Sequence, residues 1–173
     1  MSLPGFSDRA LEMAATRLNI PRTTILSDCS PYLTLPVSHF VIKSKIDQST
    51  YKASRDHKDY SIKFLYTNAK PFEEADFLVE IILLIQMKHD FTPSLSPHIY
   101  HISTAPFYLK VKDTSRRSMF VMEYFQSGDL QTVLSDLASH THLVQGWQPM
   151  LRILENVLKA IAFLHSHQFI RGY

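Results

Sequence analysis

The chain has 173 residues, of which 45% are hydrophobic, 12% aromatic and 20% charged, and its formal net charge is +2. Such a length and composition fit one soluble globular domain or most of one, while the near-balanced charge argues against a nucleic-acid or anionic-membrane partner, since Arg116-Arg117 is the nearest approach to a basic patch and reads as a solvated turn. The single cysteine, Cys29, excludes an intramolecular disulfide and fits a reducing compartment; with no secretory signal in residues 1–10 and no apolar run of bilayer-spanning length, the expected location is cytoplasmic or nuclear.

In chain order, Ser7 predicts the cap of a short helix with Leu11, Ala14, Ala15 and Leu18 on its apolar side, ended by Pro21. Residues 19–38 are rich in Pro, Ser and Thr and read as an extended arm, so that residues 1–39 form a helix and arm ahead of the main domain. Strands are expected at Phe40 to Lys45, Gln48 to Ser54 and Tyr60 to Tyr66, joined as a meander by the polar turns Lys45 to Asp47 and Arg55 to Asp59. A helix from Pro71 to about Lys88 follows. Its early turns hold Glu73, Glu74 and Asp76, where the helix dipole favours acids, and its buried stripe is Leu78, Ile81, Ile82 and Ile85. Two further strands, Phe107 to Lys112 and Ser118 to Tyr124, flank a turn at Asp113 to Arg117. Beyond Gly128 the pattern is helical: Asp129 caps a helix carrying Leu130, Val133, Leu134 and Leu137, and a last helix from about Gln148 to Ser166 carries Leu151, Leu154, Leu158, Ile161 and Leu164. Strands, a helix, strands and then helices is an α+β order, with two lobes meeting at Phe125 to Asp129.

Several segments in register resemble the protein kinase family. Tyr60-Ser61-Ile62-Lys63 is similar to the third-strand motif whose lysine holds nucleotide phosphates. Glu80, nine residues before His89, resembles the carboxylate of the helix that follows, which aims that lysine. The stretch Met119 to Leu130 resembles the last small-lobe strand, the hinge and the start of the next helix, and Ile153 to Ile170 resembles the helix leading into the catalytic loop. The resemblance covers residues 40–173 and implies a five-stranded antiparallel small-lobe sheet with one helix (40–124), a hinge (125–129) and the first helices of an incomplete helical lobe (130–173). It also implies a nucleotide site made of Lys63, Glu80, Ser61, Met122, Glu123, Phe125 and Asp129. In that site the Glu123 carbonyl and the Phe125 amide meet the adenine edge, Met122 is the gatekeeper, Asp129 lies near the ribose, and Ser61 replaces the usual alanine.

The same alignment shows where the chain departs from the family. The three glycine places of the phosphate-covering loop fall at Lys43, Lys45 and Gln48. Glycine serves there because the backbone must approach phosphate closely and adopt conformations closed to other residues. The place of the catalytic aspartate is taken by Tyr173, a phenol with a pKa of about 10 that cannot serve as the base at neutral pH. The magnesium motif would follow residue 173, and Asp90-Phe91 lies in the loop after the long helix instead. His140/His142 and His165/His167 are spaced by two, on different helix faces, without Cys or carboxylate companions, so no metal site is expected. The resemblance therefore implies a pseudokinase-like interaction or regulatory module with a protein partner and, at most, weak ATP binding; it has no catalytic residue of its own. The alternatives are a fragment or isoform of a longer ATP-binding kinase acting on Ser/Thr or Tyr of proteins, and an unrelated α+β binding domain.

Overall fold

The computed structural model describes residues 3–33, 40–66, 68–90, 99–103, 107–108, 115–126, 128, 131, 135 and 146–166. These belong to two compact units, Met1–Tyr124 and Phe125–Tyr173. The first contains α1 (Asp8–Leu18), α2 (Arg22–Cys29), a 3-10 turn (Ser30–Tyr32), β1 (Val41–Lys45), β2 (Thr50–Arg55), β3 (Lys58–Tyr66), α3 (Pro71–Asp90), β4 (Ile99–Ser103), β5 (Phe107–Tyr108) and β6 (Ser115–Glu123). The second contains α4 (Trp147–Ser166). No described helix is long and apolar enough to cross a membrane.

The fold is α+β, but its sheet is not the five-stranded small-lobe sheet expected from the kinase resemblance. It has six antiparallel strands in the order β1-β2-β3-β6-β4, and β5 pairs with one end of β6. The strand expected at Phe107 to Lys112 is found at Phe107–Tyr108, with residues 109–112 outside the described set, while Ile99–Ser103 pairs with β6 from Ile99↔Met122 to Ser103↔Met119. Ile99–Ser103 is only five residues long, and its partner strand lies far along the chain, so local alternation could not reveal it.

Each face of the sheet is built by the period-2 alternation of its strands. Phe40, Ala53, Ile62, Phe64, Met119 and Val121 form one buried cluster, with Ile42, Tyr51 and Tyr60 packed on it. Tyr60 meets Phe40 edge-on at 5.4 Å, and Tyr51 meets Phe64 at 5.7 Å. On the other face Phe120, fully buried, meets Phe77 of α3 at 5.1 Å. Phe6 approaches Phe77 at 6.2 Å, so the N-terminal segment covers the outer side of α3. Sandwiched in this way, α3 buries Phe77, Val79 and Leu83 as well as the expected Leu78, Ile81, Ile82 and Ile85. Its first turn starts at Pro71 and is closed by Glu73, whose carboxylate accepts from the Lys70 N–H at 2.7 Å.

The N-terminal region is packed structure and includes no extended arm over residues 22–29. Ser7 caps α1 by accepting from the Ala10 N–H at 3.2 Å, and Leu11, Ala14, Ala15 and Leu18 are buried as expected. Asn19, left-handed at φ 52°, ends the helix. Pro21 then precedes α2, which buries Ile25 and Cys29 one helical turn apart. Helix α2 escapes the sequence because Thr23, Thr24 and Ser27 favour turns and only two of its residues are buried. Arg22 joins the two helices through Asp8 at 2.6 Å and Glu12 at 2.9 Å, while Arg17 pairs with Asp76 on α3.

Burial pushes the Cys29 thiol from its ordinary value of 9.0 up to about 12, with a smaller push from the Asp28 charge. The folded state thus favours the neutral thiol; this stability is fully present below the unfolded value and is lost as pH rises from near 9 toward 12. Native protein is expected to resist iodoacetamide at about pH 8 and to react once denatured; rapid alkylation of native protein, read by mass spectrometry, would contradict this burial.

The β2–β3 hairpin turns on Asp56 and His57, both left-handed at φ 49° and 62°. A two-residue turn of this kind favours glycine at its second position. His57→Gly is expected to raise stability by about 1 kcal/mol, a thermal midpoint shift of roughly 2–4 °C. An unchanged or lower midpoint in a melting scan would show that the turn is not strained.

In the second unit, α4 lies within one residue of its expected start. Phe163 is buried, whereas Trp147, Met150, Leu151, Leu154, Val157, Leu158 and Ile161 are exposed. Glu155 and Lys159 pair across one turn at 2.6 Å. The capped helix expected from Asp129 to Leu137 falls largely outside the described residues, with Gln131 and Ser135 the helical positions within them.

Candidate functional site

The site is built on the α3-facing side of β3. Ser61 and Lys63 alternate with the core residues Ile62 and Phe64, so both point away from the aromatic cluster. In register, Lys63 lies between Thr50 of β2 and Phe120 of β6, and Ser61 lies between Lys52 and Met122. With Phe120 against Phe77, α3 is held over this face, and Glu80 is three residues beyond Phe77.

Lys63 Nζ donates to both carboxylate oxygens of Glu80, at 2.8 Å to Oε1 and 2.7 Å to Oε2. The two side chains are 26% and 38% exposed. An ion pair this open contributes about 0–1 kcal/mol, too little to matter much for stability. What the pair does achieve is orientation: a flexible lysine is held in one place by a carboxylate on a rigid helix.

The turn between β1 and β2 stands next to this pair. Asp47 Oδ1 accepts from the Ser49 N–H and the Thr50 N–H, each at 2.8 Å, and from the Ser49 hydroxyl at 3.4 Å. The turn is fixed to β3 by the Phe64 N–H donating to the Ser49 carbonyl at 2.9 Å and by the Tyr66 hydroxyl donating to the Gln48 carbonyl at 3.3 Å. Partial desolvation pushes the Asp47 carboxyl up. The hydrogen bonds from Ser49 and Thr50 and the charge of Lys63 outweigh it, so the group titrates below the usual carboxylate range.

Farther along the same strands, Asp59 accepts from Lys52 at 2.9 Å and from Lys43 at 3.0 Å. Hydrogen bonding to Lys52 first, then to Lys43, holds its carboxyl below the ordinary range. Lys52 Nζ also lies 4.2 Å above the Tyr124 ring. Lys43, at one of the three positions where the kinase resemblance would call for glycine, is therefore tied to a carboxylate, and Lys45 lies in β1 opposite Tyr51.

Of the residues expected in a nucleotide site, the structure brings Lys63 and Glu80 into contact and puts Ser61 and Met122 opposite each other. Ser61 is buried, Met122 and Glu123 are half-buried, and Glu123 pairs with Tyr60. Phe125, half-exposed, belongs to the second unit, where its carbonyl accepts from the Gly128 N–H at 3.2 Å. Asp129 and Tyr173 lie outside the described residues. Asp47 and the Lys43–Asp59–Lys52 cluster were missed from sequence. Asp47 could have been found, because Asp followed by Ser and Thr two and three residues on is the pattern of a side chain that closes its own turn. The cluster depends on strand register and had no local signal. Among the described residues no group of three or more His, Cys, Asp or Glu side chains is placed to hold a metal ion. Comparison of the chain with known protein families and with curated proteins finds no match.

Proposed function

We propose that this chain is a catalytically silent relative of protein kinases that works as an interaction or regulatory module in the cytosol or nucleus, binding a protein partner and holding ATP weakly. The observation that carries this reading is the two-oxygen contact between Lys63 and Glu80. A lysine held by a helix carboxylate is the arrangement that positions phosphate groups in kinases, and its small contribution to stability leaves orientation as its purpose. Two sequence features and one structural feature set the activity aside: no glycine at 43, 45 or 48, Tyr173 where the family has its proton acceptor, and a β1–β2 turn closed by its own aspartate. The polar hydroxyl of Ser61 in the adenine slot weakens the grip on the base further.

A thermal-shift titration with ATP, with and without magnesium, tests this reading. The expected result is a shift of no more than about 1–2 °C at millimolar ATP, unchanged by magnesium; binding no tighter than millimolar stabilises by only a few tenths of a kcal/mol to about 1 kcal/mol. A large magnesium-dependent shift that disappears in Lys63→Met would contradict it.

A further inference from the structure

Backbone N–H groups converging in a turn are one of the ways proteins hold phosphate oxygens. In the β1–β2 turn those groups already have acceptors. The Ile46 and Asp47 N–H groups donate to the Thr50 carbonyl at 2.9 and 3.2 Å, and the Ser49 and Thr50 N–H groups donate to Asp47 Oδ1 at 2.8 Å each. The acceptor for the second pair is an anion supplied by the turn itself. Thr50 lies opposite Lys63 in the β2–β3 ladder, and the Ser49 carbonyl is bonded to the next residue, Phe64, so the turn is registered on the strand that carries the lysine. The ammonium of Lys63 is in turn engaged by both oxygens of Glu80.

We propose that Asp47 is a built-in substitute for bound phosphate: its carboxylate fills the amide positions of the β1–β2 turn and excludes polyphosphate ligands from Lys63. The proposal rests on reading Lys63–Glu80 as a nucleotide-type site. Three consequences of the geometry support it. The N–H groups of Ser49 and Thr50 are withdrawn from any incoming anion. Glu80 binds the Lys63 ammonium with both oxygens, and the Lys63 charge also acts on the Asp47 carboxylate, so two anions already answer this one lysine and oppose a polyphosphate. The hydrogen bonds from Phe64 and Tyr66 keep the turn from opening toward a ligand.

The test uses the full chain and two probes, inorganic tripolyphosphate and adenosine, followed by calorimetry and by the amide resonances of Ser49 and Thr50. Asp47→Ala removes the internal anion and frees both N–H groups. Asp47→Asn keeps an oxygen acceptor of the same shape and removes only the charge. Because Asp47 is exposed, neither change threatens the core. The expected result is that Asp47→Ala binds tripolyphosphate at least about tenfold more tightly than the native chain, with shifts at Ser49 and Thr50, and that Asp47→Asn gains less. Tripolyphosphate binding equally to the native chain and Asp47→Ala, or to neither, overturns the proposal. Adenosine carries no phosphate and tests the underlying reading separately: if it binds neither protein, the nucleotide-site reading falls, whereas the role of Asp47 is decided by tripolyphosphate alone.

Discussion

Phe120→Ala is expected to lower the stability of the first unit by about 3–5 kcal/mol, most of the margin of an ordinary domain, which is about 5–15 kcal/mol. Phe120 is fully buried on β6, between Lys63 of β3 and Ile102 of β4, and its ring meets Phe77 at 5.1 Å. Removing it leaves a cavity between the sheet and α3 that rigid flanking strands cannot close. The consequence reaches the site, because Phe77 and Glu80 lie on consecutive turns of the same helix and the sheet holds that helix through Phe120. Denaturant unfolding should show the loss in midpoint; a loss below about 1 kcal/mol would mean that α3 is held over the sheet by something other than this contact.

The second large effect is expected at Glu74. This carboxylate is 2% exposed, and its Oε2 accepts both the Ser7 N–H at 2.8 Å and the Ser7 hydroxyl at 2.7 Å. Ser7 is also the cap of α1, so one bonded pair fastens the start of α1 to α3. Glu74→Ala strands those donors and should cost about 1–3 kcal/mol, whereas Glu74→Gln keeps an acceptor and should cost less. Hydrogen exchange should show α1 losing protection before the sheet does. Equal effects of the alanine and glutamine variants would mean that packing around Glu74, not its bonds to Ser7, holds the helix.

Local periodicity carried much of the fold. The stripe of α1 with its Ser7 cap, the start of α3 at Pro71, the β2–β3 hairpin and the extent of α4 were all legible, because each depends on residues near one another in sequence. What depends on distant partners was not. Ile99–Ser103 becomes a strand by pairing with β6, and Glu74, which reads as an acid favoured by the helix dipole, is a buried acceptor for a residue on another helix. Phe77, Val79 and Leu83 fall outside any single stripe because α3 is covered on two sides at once. The contact between Lys63 and Glu80 had no local signal either. A strand lysine and a helix glutamate are ordinary surface residues in isolation, and only resemblance to a known pattern singled them out as a pair.

The proposed function treats Lys63 and Glu80 as the pair of a phosphate-handling site that does not transfer a phosphoryl group. Transfer relies on positioned phosphates, a held metal and an aimed base, and a barrier raised by only a few times 1.36 kcal/mol already reduces the rate by several powers of ten. The most direct measurement incubates the purified protein with labelled ATP, magnesium or manganese, and generic protein substrates. No incorporation above background is expected in the native chain or in Lys63→Met. Incorporation by the native chain that disappears in Lys63→Met would contradict the proposed function.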